Sequence, residues 1–92
     1  MIKLGKGISF GKVQDETLIC NSLTHQMIKL DKQGTEIWTY FYETNNIMLV
    51  IDFFVEKFKD SKEKVKKDII TFYNTLIDIG VLSNEEYKKI QN

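Results

Sequence analysis

Arginine is absent from the sequence: all thirteen basic residues are lysine, and thirteen acids balance them to a formal charge of zero. The side chain best suited to bidentate recognition of phosphate and guanine is therefore missing, and there is no excess of positive charge to displace counterions from a nucleic acid. Proline is also absent and the five glycines are scattered singly, so no linker, repeat array or low-complexity tract divides the chain. The lone cysteine, Cys20, excludes an internal disulfide, and no stretch near the start follows the layout of a signal peptide. A cytoplasmic location without membrane attachment is expected. No HExxH, CxxC, P-loop or nucleophile-elbow pattern occurs, and a chain of 92 residues has little room for both a core and a deep, water-excluding catalytic cavity. These absences predict no enzyme activity, no metal and no cofactor.

What is present suits one soluble globular domain spanning residues 1–92, with 42% hydrophobic and 28% charged residues. Residues 8–14 and 17–21 are short β-branched and apolar runs separated by Asp15-Glu16, which predicts a hairpin. After a turn cluster over residues 21–25, the run Gln26, Met27, Ile28, Lys29, Leu30 alternates, with Ile28 and Leu30 on one face. From Asp31, a candidate N-cap, the period becomes helical. Ile37, Trp38 and Phe41 mark a first helix ending near Thr44-Asn45-Asn46, and Ile47, Ile51, Phe54 and Phe58 mark a second. Asp60 with Glu63 reads as a capping box for a third helix that Gly80 stops. Ser83 with Glu86 suggests another box, opening a short lysine-rich terminal helix over residues 83–92. The expected class is α+β: a three-stranded antiparallel sheet followed by a three-helix, winged-helix-like bundle, with its core over about residues 8–82.

Several runs taken together resemble a known family. They are Leu18-Ile19-Cys20-Asn21, then Met27-Ile28-Lys29-Leu30-Asp31, Gly34 and Ile37-Trp38. In the second half, Ile51, Phe54 and Phe58 precede Val65, Asp68-Ile69, Phe72 and Leu76 and the ending Ile79-Gly80-Val81-Leu82. Their order and separations are similar to those of the PqqD-like family. The resemblance implies a RiPP recognition element, a small adaptor that binds the leader segment of a ribosomally made precursor peptide and delivers it to a modifying enzyme. Such an enzyme would be a radical SAM maturase, or the leader peptidase and cyclase of a lasso-peptide pathway. It also implies that the leader adds as an antiparallel strand to the edge of the third strand, in a groove beside the third helix.

The third helix has residues for such a groove. Val65, Ile69, Phe72, Leu76 and Ile79 form one apolar stripe, read here as the inward one, and Ile70, Tyr73 and Ile77 form a second row about 100° around. The expected peptide site is the backbone of Gln26, Met27, Ile28, Lys29 and Leu30 with Ile70, Tyr73 and Ile77, and with Lys66 at one end facing an acidic leader residue. The alternatives are that the second row only packs on the sheet and that a loop covers the strand edge. Leu49 and Phe53 stand apart from the stripe of the second helix, to dock a partner enzyme or a second copy in a homodimer, or else to contact another helix. His25 reads as a solvated turn residue, Cys20 and Trp38 as packing. The competing function is a winged-helix DNA-binding regulator, against which the charge balance and the missing arginine both stand.

Overall fold

Three runs of alternating residues become three strands, β1 (Ile8–Val13), β2 (Glu16–Asn21) and β3 (Gln26–Leu30), in a computed structural model that describes residues 2–91. Met1 and Asn92, the ends of the expected domain, lie outside the described residues. The strands pair antiparallel in the order β1-β2-β3. Phe10 lies opposite Ile19, Ile19 opposite Ile28, and Thr17 opposite Leu30, so the period of two gathers these side chains on the face toward the helices. The first turn is Gln14-Asp15 rather than Asp15-Glu16, because Glu16 already pairs with Val13. Gln14 has φ of 58°, a left-handed conformation in a two-residue connection.

Helix α1 (Lys32–Thr44) starts where Asp31 accepts a hydrogen bond from the Gly34 N–H at 2.8 Å, and it ends at Asn45 in the left-handed conformation. Asn46 caps α2 (Ile47–Lys57) by accepting from the N–H groups of Met48 and Leu49. The N-cap of α3 (Lys62–Asp78) is Ser61, one residue later than the expected Asp60, whose side chain instead accepts from the Ser61 N–H. Gly80, at φ 85°, supplies the left-handed turn that ends α3. Trp38, Phe54, Ile19, Ile69 and Leu82 are sealed between the sheet and the helices, and Phe10 stands edge-on to Trp38 at 5.1 Å.

Both segments that flank this core depart from expectation. Residues 83–91 form no terminal helix; after a single turn they run along α3 in irregular conformation. Tyr87 and Ile90 have a better apolar destination on α3 than a short lysine-rich helix would give them. Residues before β1, beyond the core expected from sequence, are also part of the structure. Ile2 is buried, Leu4 bridges Leu82, and the Gly5 N–H donates to the Val81 carbonyl at 2.8 Å. A Cβ on Gly5 would lie 1.8 Å from the Gly80 oxygen, so only glycine permits this approach.

Candidate functional site

Among the described residues β3 is paired on one side only, with β2, and alternate residues of its other edge direct backbone N–H and C=O groups away from the sheet. Beside that edge is a cavity of about 490 Å³ that reaches across to α3. The caps described above place its walls. Leu30 and Asp31 lead from β3 into the first turn of α1, where Gly34 and Ile37 follow, and α3 contributes Lys64, Val65, Asp68, Ile69 and Phe72. Phe58 and Asp60, from the link between α2 and α3, close one end. The floor is apolar and the rim is charged. Lys64 lies 3.6 Å from both Asp60 and Asp68, and Lys29 lies 3.3 Å from Glu16.

The strand half of the expected site stands at this edge. Met27 is 65% exposed, Gln26 and Lys29 are exposed, Ile28 is half-buried, and Leu30 turns into the core. The helix half does not. Ile70, Tyr73 and Ile77 are core residues, 2%, 6% and 8% exposed, and none of them borders the cavity beside β3. Lys66 is solvent-exposed but borders a different hollow, with Glu63, Lys67, Ile70 and Gln91. The residue that sequence reading turned inward, Phe72, is half-buried and lines the β3–α3 cavity. Ile79, from the same stripe, is 42% exposed. The second row is therefore core throughout, while the first stripe is core at Val65, Ile69 and Leu76 and reaches the surface at Phe72 and Ile79.

The segment after α3 helps to cover the second row at Tyr73. Tyr87 packs obliquely on Phe41 and edge-on to Tyr73, at 5.8 and 6.3 Å. The Tyr73 hydroxyl donates to the Lys88 carbonyl at 3.2 Å. The Asn74 amide group donates to the Ile90 carbonyl at 2.7 Å, and its oxygen accepts from the Ile90 N–H at 2.9 Å. Lys89 pairs with Asp78 at 2.8 Å. Burial pushes the Tyr73 hydroxyl above the usual tyrosine range, and the neighbouring Tyr87 adds to the shift. Burial also raises Tyr87, whose oxygen accepts from the Lys3 N–H and whose hydroxyl donates to Asn45. These bonds satisfy polar groups that an open groove would leave to solvent or ligand.

On the far side of α2, Leu49 and Phe53 are 48% and 42% exposed, and the Phe53 ring stacks on Tyr40 at 4.4 Å. Among the described residues no three His, Cys, Asp or Glu side chains cluster as metal ligands, and no helix is long and apolar enough to cross a membrane. Of the groove residues, Val65, Ile69 and Phe72 carried a periodic signal in the sequence, in the stripe read there as inward. Asp60, Lys64 and Asp68 had none.

No family model matches the sequence, and no curated protein matches it. The fold, however, has a solved counterpart. The structure of TbiB1 in complex with the TbiA(beta) leader peptide superimposes with a TM-score of 0.81 over 95% of this chain and 99% of that one, at 20% sequence identity. Three antiparallel strands followed by three helices is the α+β architecture expected from the PqqD-like resemblance, and this chain has the fold of TbiB1 over nearly its whole length.

Proposed function

We propose that the protein is a RiPP recognition element of the PqqD-like kind: it binds the leader segment of a ribosomally synthesised precursor peptide by strand addition to β3 and presents it to a modifying enzyme, without itself catalysing a reaction. The observation that carries this reading is the unpaired β3 edge facing an apolar-floored groove, on a fold shared with a protein solved in complex with a leader peptide. Main-chain hydrogen bonds along β3 supply affinity with little demand on sequence, and the part-exposed Ile37, Phe58 and Phe72, backed by the buried Val65 and Ile69, select alternate side chains. Residues Gln26–Leu30 remain in the site; Phe72 and Ile69 replace Ile70, Tyr73 and Ile77 as its helix wall.

Holding the leader on a protein that also docks the enzyme raises the local concentration of the core peptide to about the millimolar range. The exposed pair Leu49 and Phe53, away from the groove, suits that docking role, and a cytoplasmic setting suits a partner of newly made peptides. A DNA-binding regulator is not favoured: the lysines of α3 alternate with Glu63 and Asp68, and Lys64 is held between two aspartates. The test is a titration of isotope-labelled protein with leader segments of short peptides encoded beside its gene. Amide shifts are expected in Gln26–Leu30 and in residues 64–72. Saturable binding that perturbs neither would move the site elsewhere, and a sequence-specific, salt-resistant duplex gel shift would replace the adaptor with a regulator.

A further inference from the structure

The charges around the β3–α3 groove are unequal in a way that specifies its ligand further; this inference rests on the leader-binding reading. Two lysines line the groove, and each already has an acid partner. Lys29 is held by Glu16 at 3.3 Å, and Lys64 sits between Asp60 and Asp68 at 3.6 Å from each. Three aspartates line it: Asp31, Asp60 and Asp68. One oxygen of Asp31 is committed to the Gly34 N–H and one of Asp60 to the Ser61 N–H, each at 2.8 Å, and Asp60 and Asp68 share one lysine between them. An acidic ligand side chain entering here would have to displace an aspartate from Lys64 and would face the remaining acids. A basic one meets carboxylates that are only half neutralised.

The spacing adds a register. Asp68 and Phe72 are one turn apart on α3, about 6 Å along its axis. Side chains two positions apart on an added strand are separated by about 6.6 Å and project to the same side. A strand lying along α3 therefore sets one side chain against Phe72 and the next same-side one against Asp68. We infer that the protein selects leader segments in which a lysine or arginine lies two positions from a large apolar residue, the apolar side chain against Phe72, Ile69 and Ile37 and the cation against Asp68 and Asp60.

Selection of a random phage-displayed peptide library on the full chain at low salt tests this. Enriched peptides are expected to carry the apolar and basic pair at a spacing of two and to be depleted in acids. Asp68→Lys should weaken a selected peptide about threefold, the scale of one exposed ion pair, and Asp68→Asn somewhat less. Glu63→Lys, the same charge change on α3 outside the groove, should leave affinity unchanged; an equal loss there would reduce the effect to net charge and overturn the inference. Thermal melts of the three variants confirm that each is folded. Peptides that perturb β3 and Phe72 but carry acidic or no charge preference would overturn the charge selection and leave the leader-binding reading standing. Failure to enrich any peptide that perturbs β3 or Phe72 would overturn both.

Discussion

The two apolar rows of α3 differ in what covers them. Ile70, Tyr73 and Ile77 are buried, with Tyr87 and Lys88 against Tyr73, and the polar groups nearby are paired, Tyr73 with Lys88 and Asn74 with Ile90. The opposite wall keeps Phe72 half-exposed, carries charges that are exposed and only partly matched, and faces a strand edge with no second neighbour among the described residues. A helix with two apolar rows needs two partners. One is supplied by the chain itself, and the proposed binding surface lies where, among the described residues, the other is missing.

The largest effect that would break this contrast is on stability. Tyr73→Ala removes a buried ring and its hydrogen bond and is expected to destabilise the fold by about 3–5 kcal/mol in urea unfolding. A folded variant of near-native stability would show that the covered row is not core. Next, Phe72→Ala should weaken leader binding by about 1–3 kcal/mol in calorimetric titration while the protein stays folded. Unchanged affinity would put the groove on another face. Third, Asn74→Ala deletes both bonds to Ile90 and should lower stability by about 1 kcal/mol, with faster amide exchange at residues 88–91. Unaltered exchange there would mean that the segment is held by its side chains alone.

The smallest effect is on pH dependence. Tyr73 and Tyr87 both titrate above their ordinary value of 10.0, so the folded state holds these protons more tightly than the unfolded state does. Their contribution to stability is complete below about pH 10 and is lost as pH rises through the raised values. Denaturation midpoints should fall over that range, and Tyr73→Phe should flatten the dependence. An unchanged slope in that variant would assign the loss to other groups.

Sequence patterning located the elements because each boundary is written locally. Asp31 caps α1, Gly80 provides the left-handed stop of α3, and the alternation of Gln26–Leu30 sets β3. It did not tell which row of α3 faces the groove, because two rows about 100° apart are equally regular and their roles depend on what packs against them. That information lay in segments with weak patterns of their own. Ile2 and Leu4 precede the first strand, and Tyr87 and Ile90 sit among lysines and acids that read as a fraying helix. The charged rim was hidden for a similar reason, since Asp60, Lys64 and Asp68 look like ordinary solvated positions until β3 is placed opposite them.

The pairing of Asn74 with Ile90 has a consequence for competition. The carboxamide offers one donor and one acceptor to a backbone, much as a strand edge does, and residue 90 takes both. On that side the chain is its own ligand, held by an intramolecular tether whose effective concentration is about millimolar. A free peptide of the same sequence would have to exceed that concentration to displace it, so the covered row is insulated from competing peptides. Among the described residues none occupies the groove beside β3, so a ligand entering it need not evict any of them.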